Sequence, residues 1–155
     1  MKIFVLLISS CFLLSFTIIN LNLNVNLCAN KHFKLLSATS SSWTAGTERG
    51  GSGSEYYFKI IIKSKQEIIF DSVWIGNRSS KIFITKEQKL VSNSSIVFTK
   101  GDTIILRTSF LNNNVKTVKK PLNIKGVALL SYRINDKLKY YSIKKIESQN
   151  PIYYP

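Results

Sequence analysis

The sequence predicts an all-β fold: an antiparallel β-sandwich, immunoglobulin-like or barrel-like, with about 7–8 strands. Three observations predict it. Beyond residue 32 no window of roughly 11–18 residues carries a helical apolar stripe. β-Branched and aromatic residues dominate instead, and these suit a pleated, half-buried surface. Turn signals built on Gly, Asn, Asp and Ser recur between the apolar runs at roughly 8–12-residue spacing. A true immunoglobulin domain is not supported, because its Cys…Trp…Cys spacing is missing.

The first 29 residues stand apart from this pattern. After Lys2 no charge occurs until Lys31, and Ile3 to Ile19 is almost wholly apolar. A positive start followed by an apolar run reads as a secretory signal peptide, which engages the membrane during export. Ser9, Ser10, Ser15 and Thr17 make it a poor permanent span, which wants about 20 predominantly apolar residues. The small-residue cleavage site follows Ala29, which leaves residues 30–155 as one β-sandwich domain. Two alternatives are a retained anchor and lipidation of Cys28, although Leu27 stands where lipoprotein signals usually carry a small residue. The strict alternation of "NLNLNVNL", Asn20 to Leu27, would suit an N-terminal strand if the cut came earlier. Cleavage after Ala29 removes Cys11 and Cys28 together, so no disulfide remains and the apolar core alone must stabilise the domain. The expected location is the periplasm, the outer surface or the medium, with membrane anchoring if the segment stays.

The strands follow in order. "EYYFKIIIK" places Tyr56, Phe58, Ile60 and Ile62 on one face and Tyr57, Lys59, Ile61 and Lys63 on the other. "IIFDSVWIG" is apolar on both faces, which predicts a central strand covered on both sides and puts Trp74 in the core. "KIFITK" follows a "GNRSS" turn. "SSIVFTKGDTIILRTSF" is two strand-like runs around Lys100-Gly101-Asp102, with Gly101 supplying a positive φ. "LNNNVKTVKKP" is a loop or ragged edge strand ended by Pro121. The last hairpin, Gly126 to Ile146, is read with a three-residue loop of Asn135, Asp136 and Lys137, because that register keeps Tyr132 opposite Tyr140 on one apolar face. Three tyrosine doublets (56–57, 140–141, 153–154) should each send one ring inward and one outward.

Four of the seven glycines gather at Gly46, Gly50, Gly51 and Gly53. Gly46 and Gly51 have the gap of a P-loop, but Ser52 and Gly53 stand where Lys and Ser or Thr are required, and a strand follows in place of a helix. G-x-G-x-x-G and G-x-S-x-G are both absent. The composition is that of a flexible strand connection. Its functional reading is a ligand-facing loop in which Trp43, Arg49, Gly50, Gly51, Gly53 and Tyr56 supply stacking and charge around exposed backbone.

Conventional catalytic sets are scarce. Past residue 29 the one histidine is His32, placed next to the terminus, where mobility is expected. With no partner Cys or second His there is no Ser-His-Asp set and no ordinary zinc site, and no cofactor is expected. The eight acids are scattered, with Asp102 and Asp136 in turns; an envelope-polymer hydrolase built on two carboxylates is the enzyme alternative. Removing Lys2 from the 22 Lys and Arg leaves 21 against 8 acids, a net +13 for residues 30–155. Such a field favours an anionic glycan, an anionic lipid or an acidic envelope protein as partner. The basic residues are spread without a run of five, which argues against nucleic acid and fits lysine as a general surface filler.

The succession "GGSGSEYYFKI", "FDSVWIG", "KGDTI" and "PIYYP" resembles the uncharacterised small exported β-domain proteins of Bacteroidetes-type bacteria, over about residues 38–155. The resemblance implies an exported β-domain and brings no activity, cofactor or site residue. The expected function is a non-enzymatic binding module of the cell envelope.

Overall fold

The computed structural model describes residues 30–47, 50–86, 89–91, 98–113, 117–122 and 125–155. The expected signal segment, Cys28 and the Asn20–Leu27 alternation lie outside the described residues. Eleven strands are described: β1 (Phe33–Ala45), β2 (Ser52–Ile62), β3 (Ile69–Ile75), β4 (Arg78–Lys81), β5 (Phe83–Lys86), β6 (Lys89–Val91), β7 (Thr103–Leu111), β8 (Ala128–Ile134), β9 (Lys137–Ile143), β10 (Glu147–Ser148) and β11 (Ile152–Tyr154). The larger sheet runs β10-β1-β2-β7-β5-β6, with β11 also on β1; the smaller runs β4-β3-β8-β9. The two form an antiparallel-rich sandwich, all-β as the sequence predicts. The strand count exceeds the expected one because β6, β10 and β11 are pieces of two or three residues.

The core follows from period-two alternation. Phe58, Ile60 and Ile62 of β2 are buried, as are Ile104 and Leu106 of β7 and Leu130, Tyr132 and Ile134 of β8. Full burial of each such side chain stabilises by roughly 1.5–3 kcal/mol. Phe33 sits at the centre, edge-on to Phe70, Tyr132 and Tyr141 at centroid distances of 5.1–5.4 Å. That geometry opposes ring edges to ring faces and adds to simple burial.

Several expectations need correction. Trp74 lies on the outward side of β3, half-buried and 6.3 Å from Tyr140, so the strand is interior to its sheet but only partly covered outside. An uninterrupted "KIFITK" strand does not form: Ile82 is fully buried at the corner where the chain leaves β4 in one sheet for β5 in the other. The Thr108 hydroxyl donates to the Lys81 carbonyl at that corner, 3.0 Å away. The "GNRSS" turn contracts to Gly76-Asn77, since Arg78 already pairs with Ile75.

The last hairpin is also different. Ile134 pairs with Lys137 and Tyr132 with Lys139, so the loop has two residues, Asn135 and Asp136. Their φ values of 48° and 60° belong to the primed turn whose twist matches the strands. Turn chemistry therefore outweighs tidy apolar pairing here. His32 is not mobile: it is 6% exposed, and its carbonyl accepts from the Lys63 and Ser64 amides at 2.8 and 3.0 Å.

Candidate functional site

The outward face of the larger sheet carries the site, and strand register builds it row by row. Trp43 pairs with Gly53, Ser41 with Glu55, Thr39 with Tyr57 and Ser37 with Lys59. On the other side of β2, Gly53 faces Leu111, Glu55 faces Ser109, Tyr57 faces Arg107 and Lys59 faces Ile105. Because alternate residues share a face, all of these project away from the core. A β-bulge between Leu35 and Ser37 makes the change of register: Leu35 packs against the core, and Ser37 falls on the outward side.

A trough of about 400 Å³ runs along this face, lined by Ser37, Thr39, Ser41, Tyr57, Lys59, Ile105, Gln149 and Ile152. That volume is within the range of roughly 300–1,000 Å³ usual for ligand sites. Its far wall comes from the C-terminal segment. There Glu147 and Ser148 pair in parallel with Thr39 and Ser40, and Ile152 to Tyr154 pair with Trp43 to Ala45. The Gln149 amide donates to the Ser40 carbonyl at 2.7 Å and pins the bend between the two short strands.

Beside the trough, and joined to it through Tyr57, lies a three-residue network. Glu55 is nearly buried and accepts from the Tyr57 hydroxyl and from Arg107 Nη2. The Arg107 guanidinium also stands 5.8 Å from the Tyr57 ring centroid. Burial pushes the Glu55 carboxyl up, but hydrogen bonds from Tyr57 and Arg107 and the guanidinium charge outweigh it, leaving the carboxyl below its ordinary 4.5. Burial, then the hydrogen bond to Glu55 and its charge, push the Tyr57 phenol up to about 12. The hydrogen bond to Glu55 raises Arg107 further. At neutral pH the carboxylate is thus ionised, with a neutral phenol and a cation fixed against it.

One residue over, Lys59 is exposed and has no ion-pair partner among the described residues. The face therefore presents hydroxyls, an amide, a ring and two cations around one neutralised carboxylate. Glu55 is held by Arg107, Asp71 by Arg133 and Glu147 by Lys145, each by a cation and not by a second acid. No group of three or more His, Cys, Asp or Glu side chains comes together among the described residues.

The residues expected around the glycines divide. Trp43 and Gly53 meet at one end of this face: a Cβ on Gly53 would lie 2.7 Å from Trp43 Nε1 and 2.6 Å from the Phe110 carbonyl oxygen. Glycine there lets the indole lie flat across the strand. Trp43 also meets Tyr154 edge-on at 6.2 Å. Gly50 and Gly51 form the short turn between β1 and β2, where Gly51 has φ of +74°. Arg49 lies outside the described residues. Tyr56 is on the opposite side of β2, edge-on to Phe110 at 5.7 Å, and is not brought together with Trp43.

The expected 43–56 loop is thus two paired strands with a turn between them. What sequence reading missed is the trough itself, with Ser37, Thr39 and Gln149, and Arg107 beside it. The available signal was the outward alternation Glu55, Tyr57, Lys59, which places two charges and a phenol on one face of β2.

No protein-family model, no curated protein and no solved structure matches this chain.

Proposed function

We propose that the protein is a non-enzymatic binding module of the cell envelope, exported by its N-terminal segment, and that it takes its ligand in the trough on the larger sheet. The observation that carries this reading is the trough's lining: three β1 hydroxyl residues lie beside Tyr57 and Lys59 along one open cavity. Few precisely placed polar groups around an open cavity suit selective binding. The Glu55–Tyr57–Arg107 network holds the phenol and the guanidinium in place before a ligand arrives, which lowers the ordering cost of binding.

The test is sedimentation of the purified protein with isolated bacterial envelopes. Ser37 is exposed at the trough floor, so Ser37→Trp fills the cavity without touching the core. Loss of sedimentation with an unchanged melting temperature is the expected outcome. Equal sedimentation of the variant and the parent would remove the trough from the protein's function.

A further inference from the structure

We infer that the ligand of the trough is an acidic saccharide, a sugar chain whose acid groups are met by Lys59 in the trough and by Arg107 beside it, on either side of Tyr57; this rests on the binding-module reading above. Register places the two cations diagonally, since Lys59 faces Ile105 and Arg107 faces Tyr57 on neighbouring strands. Diagonal backbone positions on one face of a sheet are about 7–8 Å apart. The Arg107 guanidinium turns to Glu55, on the far side of Tyr57 from Lys59, so the two cations flank Tyr57, where a chain with an acid group on more than one sugar meets both. Arg107 spends one amino group on Glu55, and its side chain remains 43% exposed, so other donors of the planar fork are open to a ligand. Lys59 has no ion-pair partner among the described residues.

Charge complementarity extends beyond the pair. The whole chain carries a formal net charge of +14, and this field draws anions to any open cleft. Glu55 offsets the formal charge of Arg107, so Lys59 carries the local excess, while Arg107 still offers the donors that it does not spend on Glu55.

The rest of the lining selects the scaffold that bears the anion. Ser37, Thr39, Ser41 and Gln149 offer hydroxyls and an amide, each able to donate and accept. Ser37, Thr39 and Ser41 are arranged along β1 at two-residue intervals, about 6.6–6.8 Å apart, with Gln149 across from them, so a ligand must present polar groups repeatedly along its length. A polyhydroxylated chain does this. Ile105 and Ile152 provide two small apolar contacts, and the Tyr57 ring a third, which match the C–H faces of sugar rings. An anionic bilayer satisfies the two cations but cannot bring its flat surface into a concave, hydroxyl-floored trough.

The experiment is calorimetric titration of the purified protein with short oligogalacturonates and, as the same scaffold without the anion, their methyl esters. Phosphatidylglycerol vesicles are the third probe. Lys59→Glu is the main variant; Lys137→Glu, at the hairpin tip of the other sheet, makes the same charge change away from the trough. The paired variant Glu55→Gln/Arg107→Gln removes the guanidinium without stranding a carboxylate.

The expected result is that the acid binds, that esterification or Lys59→Glu each weakens binding at least about tenfold, and that the acid-over-ester preference vanishes in Lys59→Glu. Lys137→Glu should change affinity less than about twofold, and the paired variant should lose affinity as Lys59→Glu does. The inference is overturned if the ester binds as tightly as the acid, if no oligomer binds, or if Lys137→Glu weakens binding as much as Lys59→Glu. Vesicle binding that depends on Lys59 while the oligomers do not bind also overturns it, in favour of a lipid headgroup. If Ser37→Trp abolishes envelope sedimentation while Lys59→Glu leaves it intact, the binding module stands and the acidic saccharide falls. If Ser37→Trp has no effect on sedimentation, the module reading itself falls.

Discussion

Among the described residues each sheet of the sandwich carries one arginine–carboxylate pair on its outward face, and the two pairs are built differently. In the larger sheet Arg107 and Tyr57 both bind Glu55, whose side chain is 10% exposed. In the smaller sheet Arg133 grips Asp71 with two hydrogen bonds, at 2.9 and 3.1 Å, but the Asp71 side chain is 23% exposed. Asp71 is also the bulged residue of β3, between the paired Phe70 and Ser72, so the backbone itself aims it outward. The arginines are almost equally open, at 43% and 47%. What separates the pairs is the burial of the acid and the phenol beside it. One is a network that organises a cavity, and the other a surface contact.

The sharpest way to break the contrast is to remove each arginine. Arg107→Ala leaves a buried carboxylate with only the phenol for company, and is expected to cost about 2–4 kcal/mol of unfolding free energy in urea titrations. Arg133→Ala frees a partly hydrated acid and is expected to cost under about 1 kcal/mol by the same measurement. Comparable losses in the two variants would erase the distinction.

A second effect is read in the pH dependence of stability. Glu55 has a lowered folded pKa, so its contribution is present above the unfolded value of 4.5 and is lost as pH falls through the folded value. His32, near the seam of the two sheets, is lowered by burial, then by Lys139 and Lys31. Between its folded pKa and 6.5 the unfolded chain binds more protons, so stability declines as pH drops below 6.5. Thermal melts should show two windows: Glu55→Gln removes the lower one and His32→Gln flattens the upper. A Glu55→Gln profile identical to the parent below pH 4.5 would contradict the network.

The phenol offers a more local readout. Tyr57 should remain protonated until about pH 12, and in Glu55→Gln its absorbance titration should move back toward the ordinary 10. The smallest effect belongs to the β8–β9 turn, where Asp136 holds φ of 60°. Asp136→Gly relieves that left-handed conformation and is expected to stabilise by up to about 1 kcal/mol, seen as a small rise in melting temperature.

Much of the core was legible in the chain. The alternation Tyr56, Phe58, Ile60, Ile62 against Tyr57, Lys59, Ile61 names the inward and outward faces of β2, and the structure follows it. Two tyrosine doublets split as expected: Tyr56 and Tyr141 pack against the core while Tyr57 and Tyr140 turn outward. The 153–154 doublet lies on the edge strand β11, where both rings are exposed. The site was less legible. Trp43 and Gly53 share the outward face, but they stand there because the indole crosses a strand that has no side chain, and not because a loop wraps a ligand.

Local pattern by itself determined the all-β class, the faces of β2 and β8, and the Gly101 turn. All of these depend on residues a few positions apart. Tertiary structure alone decided which outward residues would meet. Glu55 and Arg107 are 52 positions apart and come together only because β2 and β7 pair in one register out of many. The trough's outer wall depends on Gln149 and Ile152 lying along β1, more than a hundred positions away. Alternation states which side a residue faces, because that is set by the pleat of its own strand. It does not state the neighbour across the sheet, because that is set by packing two sheets around Phe33 and its surrounding rings.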